Sequence, residues 1–232
     1  MNTKNTTLIH MLFLPIYVLF FSCQERNSQS STTSQEAVHT TSEIQQKESI
    51  QVDKIALNQQ LDTLLKSFRM TKDDNSNATY NINMDYEEFA FDNSNTFTFK
   101  SLEIGEIESL VVYYMKTTGE AFCYELEVQN NPQCKALYSA YSTTLGEKTF
   151  DKKIESTKDR PIFLDENGEQ ETDHIIQELT KVVDRDKHST YYLIYKENLT
   201  SKENKLTVIA ISDSSEKRDE WVKFRSLDMV FE

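Results

Sequence analysis

Alternation of apolar and polar residues dominates the chain from Tyr80 onward. Tyr80, Ile82, Met84 and Tyr86 are interleaved with Asn81, Asn83 and Asp85, the period of a half-buried strand. Phe89, Phe91, Phe97 and Phe99 keep period two on either side of Asp92-Asn-Ser-Asn95, predicting a hairpin closed by that turn. Residues 110–115 (LVVYYM) are apolar on both faces and predict an interior strand. After the turn Thr117-Thr-Gly-Glu120, residues Phe122, Tyr124, Leu126 and Val128 alternate again and place Cys123 on the face opposite the aromatics. Further strands are predicted near residues 148–154 and 162–164, and over residues 191–195 and 206–211, the last two joined around 198–204.

Helical spacing appears at four places. Leu57, Leu61, Leu64, Leu65 and Phe68 form one apolar stripe, with Asp62, Lys66 and Arg69 on the other side. Asn130-Asn131-Pro132 is a helix start with proline at the first position, after which Cys134, Leu137, Tyr138 and Tyr141 share a face. Ile175, Ile176, Leu179, Val182 and Val183 predict a third helix, with His174 at its start. Asp213 and Glu216 have the spacing of a capping box for a last helix carrying Trp221 and Phe224, and residues 227–231 fit helix or strand. Helix, strands, helix, strands, helix, hairpin, helix is the order of an α+β fold, mainly antiparallel sheet with three to four helices. No internal repeat interrupts it, and residues 49–232 are enough for a single globular domain with a real core.

The first 48 residues follow different rules. Residues 24–46 are Ser, Thr, Gln and Glu with almost no large apolar side chain, too little apolar surface to fold, and read as a disordered tether. Some 25 such residues relax to roughly 25–30 Å end to end. Ahead of them, residues 11–21 form an apolar run of eleven, preceded by a polar head with Lys4. A helix crossing a bilayer needs about 20 apolar residues, so the run has the length of a signal peptide.

Its end, Leu19-Phe20-Phe21-Ser22-Cys23, resembles the lipobox of bacterial lipoproteins. The resemblance covers about the first 25 residues. It implies cleavage of residues 1–22, a diacylglycerol on the Cys23 sulfur, a fatty acid such as palmitate on its amino group, and a lipidated tether over residues 23–48. Phe20 and bulky Phe21 depart from the usual leucine and small residue of that motif. Two or more acyl chains anchor a protein stably, so the resemblance implies a membrane-anchored protein of the cell envelope. Gln24, where an aspartate retains lipoproteins in the inner membrane, points to the outer membrane. The alternative is a plain secretory signal cut after Ser30, nine residues beyond the apolar core.

Composition narrows the chemistry. The sequence has 25 basic and 38 acidic residues, and the first 22 carry only Lys4, so the mature chain has a net charge of −14. Such a surface repels nucleic-acid phosphates and favours a basic partner. The four glycines, Gly105, Gly119, Gly146 and Gly168, are isolated, which excludes phosphate-cradling loops and hence nucleotide binding. Beside Cys23 stand Cys123 and Cys134, which an oxidising compartment would join in a disulfide, with two unpaired buried thiols as the alternative.

No catalytic, cofactor or metal residue is assigned. His174 with Glu178 reads as a surface salt link, and His188 falls in a loop. Asp165, Asn167 and Glu171 resemble part of a calcium loop, but Gly168 comes too early in it. Glu87, Glu88, Glu125 and Glu127 are the carboxylates that acid–base chemistry would draw on, and equally the solvent side of strands. Tyr113, Tyr114, Tyr191, Tyr192 and Tyr195 would stack on an envelope glycan if exposed. The sequence thus predicts a lipid-anchored, non-enzymatic binding domain for a protein partner or an envelope polymer. The alternative is an envelope hydrolase using carboxylates and a metal. Replacing Cys23 with serine is expected to abolish incorporation of labelled palmitate and leave the uncleaved precursor; maturation at the normal size would refute the lipobox assignment.

Overall fold

The computed structural model describes residues 49–77, 84–164, 167–168 and 170–232. The apolar run, Cys23, the polar tether and the alternating residues Tyr80 and Ile82 lie outside them. The chain is α+β. In order it forms β1 (Ser49–Gln51), α1 (Leu61–Ser67), β2 (Tyr86–Ala90), β3 (Thr96–Phe99), β4 (Leu102–Gly105) and β5 (Ser109–Met115). There follow β6 (Ala121–Gln129), α2 (Cys134–Thr144), β7 (Glu147–Leu164), β8 (Gln170–Asp184), β9 (Ser189–Asn198), β10 (Asn204–Ser212), α3 (Arg218–Phe224) and α4 (Leu227–Val230).

Seven strands make one antiparallel sheet in the order β2-β5-β6-β10-β9-β8-β7. A smaller sheet, β1-β3-β4, joins β1 to β3 in parallel and β3 to β4 antiparallel. The centre of the large sheet is the β6–β10 pair, where Leu126 stands opposite Val208 and Val128 opposite Leu206. These side chains are excluded from water on the first face, which α1, α2 and the small sheet cover. Leu61, Leu64 and Leu65 of α1 and Leu137, Tyr138 and Tyr141 of α2 are buried there, each large apolar side chain contributing about 1.5–3 kcal/mol. The Tyr124 and Tyr141 hydroxyls share a hydrogen bond of 3.3 Å in this core, and Phe99 packs on Tyr141 at 4.1 Å. The second face carries Tyr113, Cys123, Ile209, Ile211, Tyr192 and Leu179, and α3 and α4 lie over part of it.

Four expectations are corrected. Phe89 and Phe97 belong to different sheets, because β2 pairs with β5 while β3 pairs with β1 and β4; the Asp92–Asn95 turn carries the chain between sheets. Residues 175–183 are strand β8, not helix. Both faces of β8 are partly covered, Val182 facing α2 and Leu179 the second face, and neighbouring apolar residues on opposite faces imitate helical spacing. Their β-branched character suits the strand. Asp213 does not cap α3: its backbone N–H donates to His188 and its carboxylate accepts from Thr190, fastening the chain after β10 to the β8–β9 turn.

The fourth concerns the thiols. Opposite Tyr113 and Tyr114 the β6 strand has one residue too many: Tyr113 pairs with Cys123 and Tyr114 with Ala121. The extra residue, Phe122, makes a bulge that turns its ring toward the second face, which Cys123 also faces. Cys134 sits on α2 over the first face, its thiol against the Val128 carbonyl. The sheet therefore separates Cys123 from Cys134; both are free and buried, and burial raises both thiols above their ordinary range.

Helix α2 starts at Cys134 with Gln133 at its N-cap position, two residues past the proline expected to lead it. The Asn131 side chain accepts from the Gln133 N–H at 2.8 Å and donates to the carbonyls of Ile104 and Glu106, tying the helix start to the β4–β5 loop. Past the other end of α2, a Cβ at Gly146 would lie 2.8 Å from the Val183 carbonyl carbon and closer still to its oxygen. Gly146→Ala is expected to destabilise the domain by about 3 kcal/mol, read as a lower urea midpoint at unchanged slope; an unaltered midpoint would show that the α2–β7 turn yields freely.

Candidate interaction face

The two edges of the large sheet differ. At β2, Asn75 accepts from the Ala90 N–H and donates to the Glu88 carbonyl, and Ser76 bonds the Ala90 carbonyl, so side chains and a loop close that edge. At the other end β7 is paired only through β8, leaving the outer side of an 18-residue strand without a neighbour among the described residues. It is protected in the usual manner of edges, by a bulge beside Thr149 and by lysines.

On the second face, α3 brings Trp221 down onto the sheet. Tyr86, Phe122 and Tyr113 surround the indole at centroid distances of 5.2, 5.3 and 4.6 Å. The buried indole N–H needs an acceptor and finds Glu125 at 3.1 Å. Arg225, one turn further along, donates to both oxygens of the same carboxylate at 2.7 and 2.5 Å, and its guanidinium lies over the Trp221 and Phe224 rings. Burial raises the Glu125 carboxyl above the usual carboxylate range, with Arg225 and Trp221 opposing. Burial also raises the Tyr113 phenol well above its ordinary value. At the end of α4, Phe231 packs against Tyr192 and Phe150.

Over this buried clamp stand two uncovered apolar side chains, Phe224 at 63% and Met229 at 76% exposure. Met84, also exposed, precedes Asp85, whose carboxylate holds Lys217 at the entry to α3. Beyond α3 and α4 no other described element covers the second face. There Ile194 and Ile154 are half-buried, Thr207 and Gln177 stand beside them, and Lys152, Lys181, Lys196 and Lys205 rise among them.

The other residues considered from sequence are dispersed. Glu125 is engaged by Arg225 and Trp221 and Glu127 by Lys205 at 3.0 Å, so each carboxylate answers its own cation rather than forming an acid–base couple. Glu87 accepts from the Tyr114 hydroxyl at 2.7 Å, and Glu88 accepts from Asn77. His174 lies on β8 opposite Thr157, above a shallow cleft of about 360 Å³ with Glu155 and Leu199. Glu178, expected to pair with it, is bound by Lys135 of α2. His188 adopts a left-handed conformation in the β8–β9 turn. Of the calcium-like loop, Asp165 lies outside the described residues and Glu171 is paired with Arg160. Among the described residues no three His, Cys, Asp or Glu side chains converge as a metal site would require.

The five tyrosines considered for glycan stacking, Tyr113, Tyr114, Tyr191, Tyr192 and Tyr195, are buried and present no exposed row. Two further clefts are open and polar. One of about 530 Å³ lies between the entry of β1 and α1, and another of about 410 Å³ lies between the β4–β5 and β6–α2 loops. Comparison with protein-family models, with curated proteins and with solved structures finds no match to this chain.

The Glu125–Arg225 pair makes a pH-dependent prediction. A carboxyl raised by burial is disfavoured as an anion in the fold; stability linked to it is full below its unfolded value and falls as pH rises through the raised folded value. Arg225→Ala removes the cation that offsets this. The variant is expected to lose about 2 kcal/mol at pH 7, below the cost of breaking a fully buried pair because Arg225 is 34% exposed. The loss should shrink toward pH 5 as Glu125 takes up its proton; equal losses in urea unfolding at both pH values would remove the Glu125 charge as the cause.

Proposed function

We propose that the chain is a lipid-anchored bacterial envelope protein whose tethered α+β domain is a non-enzymatic binding module for a protein partner. Cys23 carries the anchor, residues 23–48 are the tether, and the outer membrane is the proposed site. The observation that carries the binding reading is the exposed Phe224 and Met229 on α3 and α4, above a side-chain clamp held by Glu125. Aromatic residues, methionine and arginine are the residues enriched at protein interfaces, and binding energy concentrates where such anchors stand on a rigid, well-packed base. Trp221, packed on three rings and hydrogen-bonded, supplies that base, and the apolar side chains over it, Phe224 resting on Trp221 and Arg225, are largely exposed.

Phe224 and Met229 are exposed, and replacing them removes only the outer contact of Phe224 with Trp221 and Arg225. Phe224→Ser with Met229→Ser is expected to leave the urea midpoint within experimental scatter. The same double variant should reduce, at least fivefold, the amount of partner recovered by crosslinked co-purification from the native envelope. Recovery equal to wild type would exclude α3 and α4 as the contact.

A further inference from the structure

We infer that the open part of the second face takes an extended acidic polypeptide segment, an assignment that rests on the binding reading above. The chain is acidic as a whole, with 38 acidic against 25 basic residues, yet this patch has the opposite sign. Lys152 on β7, Lys196 on β9 and Lys205 on β10 point to the second face, as their pairings with Leu179, Gln177 and Gln129 require. Lys181 joins them from β8, its ammonium over the Tyr192 ring. Glu127 is the carboxylate among them, and it serves Lys205.

Two features mark this as more than a solvated strand surface. Lys196 and Lys205 stand directly opposite one another on adjacent strands, where like charges destabilise a sheet. A fold that keeps such a pair departs from local consistency, and departures of this kind collect at functional surfaces. The second feature is spacing. Lys205 and Lys196 stand in one cross-strand row with Gln177 and Ile154, and Lys152 lies two residues along β7 from that row, so Lys205 and Lys152 are about 16 Å apart. Three carboxylates at alternate positions of an extended chain span about 14 Å, within reach of the long lysine side chains at both ends. Ile194 and Ile154 between them offer apolar contact to the methylenes of the arriving side chains.

A flat anionic membrane fits less well. Surface charges act over about 8 Å at physiological ionic strength, and an anionic lipid plane, wider than the patch, would also face a chain with 38 acidic against 25 basic residues. A single segment lies within that range of the lysines alone.

The test uses the full chain reconstituted in phosphatidylcholine vesicles and a fluorescent nonapeptide with glutamate at every second position and threonine between. Binding by fluorescence polarisation is expected, weakening as salt is raised. Lys152→Gln with Lys196→Gln should lower the affinity at least tenfold; arginine at both positions should keep it. Lys66→Gln on α1 should change nothing. Equal binding of the glutamine-for-glutamate peptide, or indifference to the double glutamine variant, would overturn the inference. So would loss of peptide binding when one third of the lipid is phosphatidylglycerol, which would assign the lysines to headgroups. If the native envelope yields a partner that the lysine variants capture as well as wild type does, this inference fails while the binding reading stands. If the wild-type chain captures none, the binding reading fails and takes this inference with it.

Discussion

A seven-stranded antiparallel sheet has two faces, and every apolar side chain that alternates onto one of them needs a covering layer to leave water. The pairing of β6 with β10 imposes this most strongly. Leu126, Val128, Leu206 and Val208 point one way and Cys123, Ile209 and Ile211 the other, and all are buried. The first face is covered by α1, α2 and the small sheet. Among the described residues the second has only α3 and α4, seven and four residues long, which cannot reach across seven strands. The cover is concentrated over the aromatic end, and the remainder of that face meets solvent with isoleucines and lysines.

The short cover explains the Glu125 arrangement. A carboxylate at the centre of a sheet face becomes partly buried once a helix lies over it, and burial disfavours its charge. The indole N–H of Trp221 and the guanidinium of Arg225 meet that need from one helix, four residues apart. The same contacts orient α3, so that Phe224 is left facing outward. Apolar exposure at α3 and α4 is thus a consequence of how the sheet's buried carboxylate is satisfied.

Much of the fold was legible from residue order. The interior strand β5, the β9–β10 hairpin and the apolar stripe of α1 from Leu61 onward follow from period and turn chemistry alone, whereas Leu57 lies before that helix and α2 begins two residues past Pro132. The misreadings have a common cause. Helical spacing at Ile175, Ile176, Leu179, Val182 and Val183 arises because β8 is covered on both faces, and coverage is not a local property. The phenylalanines 89–99 alternate across a turn as a hairpin would, but partners from elsewhere, β5 on one side and β1 on the other, claim the two strands. One extra residue at Phe122 moves that ring to the face opposite Tyr124, Leu126 and Val128, and no spacing rule announces a bulge.

The candidate face shows the same division. The sequence alone determined the local quantities: an α+β order of elements, an acidic composition, the absence of glycine-rich phosphate loops, and an N-terminal run of signal-peptide length that ends at Cys23. Each depends on neighbours within a few residues. The clustering of Lys152, Lys181, Lys196 and Lys205 was decided by tertiary structure, because these residues come from four strands and meet only in one register. So was the separation of Cys123 from Cys134, since the sheet that stands between them is built from strands on either side of both in the chain.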